Sequence, residues 1–260
     1  PTNSMRGAAF LSGVLDAVIV DIGGTSTDGG MLIHGFPREA AVSVNVAGVR
    51  TNFRMPDVFS TALGGGSLIK QNPLTIGPES VGFKLAREAM VFGGGQMTAT
   101  DIAVANGMAE VGDRRLVSNI ESSFAEDTID EIQKRVEDVV DQLKISAQPV
   151  PVVLVGGGSI LVRNSFDGAS NVLRPSNAEV ANAIGAAISQ VGGQVEKVYS
   201  LTDMSRDEAL DLAKDEATQK AVEAGGDPKS IEIVDIEEIP LTYLPSNALR
   251  VKVKAVGNLI

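Results

Sequence analysis

A chain of 260 residues, 43% of them hydrophobic, has the apolar material for one large domain or two unequal ones, each with its own core, and reads as a soluble globular protein. Its 33 acidic and 22 basic side chains give a net charge of -11, interspersed along the chain; this excludes a broad basic surface for nucleic acid or anionic lipid, so any phosphate must be held locally. The absence of cysteine excludes disulfides, thiolate metal sites and a cysteine nucleophile and fits a reducing compartment, and the single histidine, His34, excludes a multi-histidine metal cluster.

The chain opens at Pro1 with no initiator methionine, as expected of a processed chain or of a segment of something longer. The stretch "MRGAAFLSGVLDAVIV" imitates a signal peptide, but Asp16 interrupts the apolar run and a strand-like segment continues into a glycine turn, so it is read as structure. No apolar run approaches the roughly 18 residues of a membrane helix, and a cytoplasmic location is expected. Val18 to Val20, Gly30 to Ile33 and Ala41 to Val46 read as three antiparallel strands separated by the turn material "GGTSTDG" and "HGFPRE". His34, on this hairpin, reads as a surface residue rather than a catalyst.

Further on, "TATD" (Thr98 to Asp101) reads as a capping box for the helix "DIAVANG". A second, "SFAE" (Ser123 to Glu126), precedes Ile129, Ile132, Val136, Val139, Val140 and Leu143, whose spacing of three and four predicts an amphipathic helix. "VPVVLVGGGS" (Val150 to Ser159) reads as a buried strand running into a glycine turn. A third capping box, "SNAE" (Ser176 to Glu179), is expected to open the helix "EVANAIGAAISQ", whose Ala183, Gly185, Ala186 and Ala187 suit close packing on a sheet. From about Gly193 the texture changes to strand "VEKVYSL", a helix from Ser205 to Gly225-Gly226, strand "IEIVDIEEI" and the alternating "ALRVKVKAV". The expected organisation is an α/β domain over residues 1–192 and a small α+β unit over residues 193–260.

The chemistry concentrates in "DIGGTSTD", Asp21 to Asp28. An ionised carboxylate at the end of a buried strand is costly without a partner, so Asp21 calls for a metal, an ordered water or a basic group. Gly23 and Gly24 let backbone N–H groups approach an anion, and Thr25, Ser26 and Thr27 add hydroxyls. The turn can thus cradle a phosphate while Asp21 positions hydrated Mg²⁺ or an attacking water. Asp28 serves either as a turn cap or as a second catalytic carboxylate. The competing reading is a tight hairpin whose polar residues satisfy its own backbone.

Three glycine triplets follow: Gly64 to Gly66, Gly93 to Gly95 and Gly156 to Gly158. Bulges and tight turns use the same residues, so the first two fit binding and turn formation equally. The third, with Ser159 behind it, stands at the carboxyl edge of a buried strand, where nucleotides lie in α/β sheets.

"DIGGTSTD" with its hairpin, "LVGGGSILV" and "NAIGAAI" together resemble the second half of the acetate kinase, sugar kinase, heat-shock and actin superfamily. More narrowly, "PTNSMRGAAFLSG", "GFPRE", "GVRTNFRMPDV", "LGGGS", "VFGGGQMTATDIA" and "VANAIGAAI" resemble the C-terminal half of hydantoinase A/5-oxoprolinase proteins, over nearly the whole chain. The resemblance implies a ribonuclease-H-like, actin-like ATPase half-domain followed by the smaller α+β unit. It also implies an ATP- and Mg²⁺-dependent enzyme that phosphorylates the carbonyl oxygen of a cyclic imide or lactam so that water opens the ring. Carried over, Asp21, Gly23, Gly24, Thr25 and Thr27 meet the phosphates and Mg²⁺, and Gly156, Gly157, Gly158 and Ser159 the adenosine.

A complete enzyme of that superfamily has two such halves around a cleft, whereas this chain holds one D-x-G-G-T turn. The implied partners are therefore an N-terminal half of the same enzyme, a B-type subunit and an oligomeric assembly, besides the small cyclic amide. Two alternatives stand beside this reading: an acetone-carboxylase-type subunit, and a non-catalytic actin-like module that binds nucleotide to regulate assembly.

Overall fold

Strand β1 (Ala17–Ile22) is apolar for four residues running because both of its faces are covered. Val18, Val20 and Ile22 join one buried cluster, and Ala17 and Ile19 another on the opposite face. The computed structural model that shows this describes all residues except 41–44, 47–48, 51–55 and 243–246. By contact the chain divides into two compact units, Pro1–Ile188 and Ser189–Ile260.

The first unit opens with helix α1 (Thr2–Ser12), followed by β1, β2 (Thr27–Ile33), β3 (Phe36–Pro37), the two-residue strands β4 (Asn45–Val46) and β5 (Val49–Arg50), and β6 (Val58–Thr61). The hairpin β7 (Ser67–Gln71) and β8 (Leu74–Ser80) comes next, then α2 (Leu85–Glu88), α3 (Ala99–Ala105), α4 (Ser122–Leu143), β9 (Val150–Val155), β10 (Ala169–Leu173) and α5 (Ala181–Ala187). The central sheet runs β10-β9-β1-β2-β3, with β6 also pairing β2. β10, β9 and β1 are mutually parallel and β2 is antiparallel to β1, the mixed α/β order of a ribonuclease-H-like half.

One face of this sheet is covered by α4. Its Ile129, Ile132, Val136, Val139, Val140 and Leu143 are each at most 2% exposed, and each such side chain contributes about 1.5–3 kcal/mol of gross burial energy. The other face is covered by α1, which α5 crosses so closely that a Cβ on Gly7 would stand 1.9 Å from Ala181 O and one on Gly185 1.8 Å from Asn3 O. The small residues of α5 thus serve a helix–helix crossing more than a sheet contact: Gly185 is buried, while Ala183, Ala186 and Ala187 are exposed.

Two of the three expected capping boxes do not form. Helix α4 starts two residues early, at Ser122 with Glu121 in the N-cap position, and the Ser123 hydroxyl goes to Glu121 Oε1 at 2.9 Å. At "SNAE", Asn177 adopts a left-handed φ of 63° and a 3-10 turn precedes α5, which has no side-chain cap. The physical reason is tertiary: that turn delivers Ala178 O to Gly156 N–H at 2.9 Å.

The third box forms as read. Thr98 caps α3, and buried Asp101 accepts from Thr98 N and Oγ1 at 2.7 Å and from Val91 N at 2.6 Å. Asp101→Ala would strand three buried donors and is expected to cost about 3 kcal/mol or more. Urea denaturation of the Ala variant with an unchanged midpoint would contradict that.

Of the expected third strand, residues 41–44 lie outside the described residues, as does much of "GVRTNFRMPDV". Beside β2 the described partners are Phe36–Pro37 and Val58–Thr61 instead. His34 lies on the exposed β2–β3 turn with a left-handed φ of 51°.

In the second unit β11 (Gln190–Ser200), β12 (Glu232–Leu241) and β13 (Ala248–Asn258) form an antiparallel sheet, order β11-β13-β12. Helix α6 (Arg206–Glu223), with a capping box at Ser205 and Glu208, lays buried Ala209, Ala213, Ala217 and Ala221 on it. Among the described residues no helix is long and apolar enough to cross a membrane.

Candidate functional site

Strands β1 and β9 run parallel in register, Val18 beside Val152 through Asp21 beside Val155. The turns leaving their carboxyl ends, Gly23 to Ser26 and Gly156 to Ser159, are therefore neighbours. In the β1–β2 ladder Asp21 stands directly opposite Asp28. Two carboxylates in register share one face of the sheet, which costs stability unless donors or a cation compensate.

Asp28 has donors, the hydroxyls of Ser60 and, at 3.5 Å, of Ser26. The Asp21 carboxylate has neither hydrogen bond nor ion pair with any described residue, though the residue is only partly exposed. Among the described residues no cluster of three or more His, Cys, Asp or Glu side chains forms a protein-only metal site. A cation here would have Asp21 as its protein ligand and would draw its other ligands from water and substrate oxygens, the manner in which Mg²⁺ is commonly held.

The turn itself leaves donors open. Gly23 N–H donates to Ser26 O at 2.9 Å, but no described residue accepts from the N–H groups of Gly24, Thr25 or Ser26. A Cβ on Gly24 would meet no atom within 4 Å, so packing does not require glycine there. Backbone donors without a protein acceptor, on a turn with room beside Gly24, are the local equipment for gripping an anion in a protein of net negative charge. Thr27 does not share in this: it is 0% exposed and its hydroxyl donates to Leu63 O at 2.7 Å.

The triplet Gly64 to Gly66 is a buttress. Its N–H groups are all consumed inside the protein: Gly64 to Ser67 Oγ at 2.9 Å, Gly65 to Gly23 O at 3.0 Å, Gly66 to Gly24 O at 2.7 Å. A Cβ on Gly64 would lie 2.5 Å from Thr25 N, so only glycine allows this approach. Thr100 N and Oγ1 both donate to Gly65 O at 2.9 Å, anchoring the buttress on α3. Gly93 to Gly95 forms a separate turn in which Gly93 has a φ of 87° and a Cβ on Gly94 would overlap the Glu88 backbone at 2.2 Å.

The third triplet divides residue by residue. Gly156 has a φ of 82°, and a Cβ on it would lie 2.4 Å from Asp21 Oδ1; one on Gly158 would lie 2.8 Å from Gly23 O. Both glycines are there so that the two turns can touch. Gly157, like Gly24, would meet nothing within 4 Å. Ser159 is buried, and its carbonyl accepts from Arg174, whose guanidinium also reaches Val162 O and Asn164 Oδ1. Burial lowers the Arg174 pKa below the ordinary arginine value. A cavity of about 390 Å³ adjoins, lined by Met108, Ile160, Val162, Arg163, Asn164 and Arg174.

Sequence reasoning missed the supporting groups Thr100, Leu63 O and Ser80. Ser80 Oγ lies 3.2 Å from Gly24 O and 3.5 Å from Thr25 Oγ1, some 55 residues away along the chain.

Comparison with known proteins gives three findings. A family described as hydantoinase/oxoprolinase matches residues 1–197. No match is found among curated protein sequences. Two solved structures share the fold over almost the whole chain: an ATP-dependent acetone carboxylase in its nucleotide-free form (TM-score 0.64, 14% identity, 99% of this chain and 48% of that chain) and an ATP-dependent caprolactamase from Pseudomonas jessenii (TM-score 0.65, 17% identity, 98% of this chain and 48% of that chain). This chain spans about half the length of each.

Proposed function

Because the chain belongs to the hydantoinase/oxoprolinase family, we propose that it carries the phosphate-gripping wall of an ATP-dependent cyclic amidohydrolase. The observation that carries this reading is the exposed turn of unpaired N–H groups at Gly24, Thr25 and Ser26, set beside the unpaired Asp21 carboxylate. The N–H groups bind the terminal phosphates of ATP, with the Thr25 hydroxyl at their side. Asp21 orients Mg²⁺ or the attacking water; the metal, when bound, offsets the charge of the phosphates. Gly157 gives the nucleoside close access, and the cavity along Ile160 and Val162 takes its base.

In the reaction the carbonyl oxygen of a cyclic imide or lactam attacks the γ-phosphorus and ADP leaves. Water then adds to the activated ring carbon and the C–N bond opens, the ring nitrogen leaving as the amine; the acyl phosphate that remains is hydrolysed by a second water to the carboxylate and free phosphate. Asp28, held by Ser26 and Ser60, fixes the outer side of the turn and is a positioning residue. The opposite wall of the cleft is contributed from outside these residues, by an N-terminal half or a partner subunit.

The reading predicts that the full-length protein releases ADP faster when hydantoin, 5-oxoproline or caprolactam is added, without need of bicarbonate. Stimulation by acetone only when bicarbonate is present would favour the carboxylase reading instead. ADP release indifferent to every such substrate would leave the non-catalytic nucleotide-binding module.

A further inference from the structure

Ser80, the last residue of β8, touches the phosphate turn without belonging to it. Its hydroxyl accepts from Gly82 N–H at 3.1 Å, donates to Gly24 O at 3.2 Å and lies 3.5 Å from Thr25 Oγ1. Gly24 O receives a second donor, Gly66 N–H, at 2.7 Å, and Val81 N–H returns to Gly66 O at 2.9 Å. A Cβ on Gly66 would fall 2.8 Å from Gly24 O and 2.9 Å from Ser80 Oγ, so the three segments are in direct contact.

A peptide unit is planar and trans, with its C=O and N–H pointing in opposite directions. Pinning Gly24 O between Ser80 and Gly66 therefore aims the N–H of the same peptide unit, that of Thr25, away from them. Thr25 N–H is one of the three donors that no described residue uses. Gly66 fixes the carbonyl from one segment and Ser80 from another; Ser80 alone also reaches the Thr25 hydroxyl.

We infer that Ser80 is a positioning residue of the phosphate site: it sets the orientation of the Gly24–Thr25 peptide and of the Thr25 hydroxyl, and through them the affinity for the phosphates of a nucleotide. The inference rests on the nucleotide-binding reading given above.

The test uses the full-length protein and Mg-ATP as the probe, by calorimetric titration and by the KM of ATP hydrolysis. Ser80→Ala should raise the Kd and the KM for ATP about threefold to tenfold, the worth of one hydrogen bond. Ser80→Thr, which keeps the hydroxyl, should restore both, and neither variant should shift the thermal midpoint of unfolding by more than a few degrees. Combining Ser80→Ala with Thr25→Val should weaken binding by less than the product of the single effects, because both remove one contact.

Equal ATP affinity in Ser80→Ala and the unaltered protein would overturn the inference while leaving the nucleotide site intact. Loss of affinity matched by a collapse in thermal stability, with no rescue by Ser80→Thr, would also overturn it and assign Ser80 to the fold. If the unaltered protein failed to bind Mg-ATP at all, the reading of the site and this inference would fall together.

Discussion

Asp21→Asn in the full-length protein is expected to lower the rate of ATP hydrolysis at least about a hundredfold, ~2.7 kcal/mol in the barrier, with no loss of stability. The change keeps the size of the side chain and one acceptor oxygen and removes the charge. No described residue loses a partner, because none pairs with the Asp21 carboxylate. The unusual part of the expectation is the sign of the stability change. Asp21 stands opposite Asp28 on the same face of the β1–β2 ladder. Neutralising one of two opposed carboxylates relieves a repulsion, so the thermal midpoint should hold or rise. A residue kept for packing would show the reverse. Activity near that of the unaltered protein would refute the role given to Asp21; a large drop in both activity and midpoint would make it a structural residue.

Gly24→Ala should separate binding from folding even more clearly. The Cβ meets no protein atom within 4 Å, and Gly24 is not among the glycines with left-handed φ. Stability should therefore be unchanged or improved by about 0.4–1 kcal/mol through the unfolded state. The new methyl group projects into open space from the turn that carries the open N–H groups, and Mg-ATP affinity should fall at least about tenfold, ~1.4 kcal/mol. Gly156→Ala is the contrasting case. Its φ of 82° and the 2.4 Å approach to Asp21 Oδ1 make the substitution strained whatever the ligand, with an expected stability loss of about 1–3 kcal/mol or more. Thermal unfolding and nucleotide titration of the two variants, run side by side, check the pair. Loss of stability in Gly24→Ala, or full nucleotide affinity in it, would mean that the turn is only a hairpin.

The elements with a strong local signal were legible in the sequence. The apolar run into "DIGGTSTD" is β1 and its turn, the spacing from Ile129 to Leu143 is α4, and the Thr98–Asp101 box caps α3 as read. What failed were caps whose side chain or backbone is claimed from elsewhere. Ser123 bonds Glu121, and the turn at Asn177 is shaped by Gly156 reaching Ala178 O. Local pattern carries no information about the second of these, a contact between segments about twenty residues apart.

The glycine triplets show the same limit at the site. "LGGGS" and "LVGGGS" look alike, yet the N–H groups of Gly64 to Gly66 are all consumed inside the protein, while Gly157 has room for a ligand. The difference lies in pairs such as Gly65 with Gly23, some forty residues apart. Thr27 offers the same hydroxyl as Thr25 two residues earlier, but strand alternation turns it inward to Leu63 O. Ser80 had no signal of its own, since it becomes part of the site only when β8 folds back against Gly24 and Gly66.

The most direct test of the phosphate-turn assignment is a crystal structure of the full-length protein with Mg²⁺ and a non-hydrolysable ATP analogue. The expected result is phosphate oxygens within hydrogen-bonding distance of the N–H groups of Gly24, Thr25 and Ser26, with Asp21 facing the metal or its water and the nucleoside passing Gly157. A nucleotide bound elsewhere, with the Gly23 to Ser26 turn holding no phosphate, would contradict the assignment.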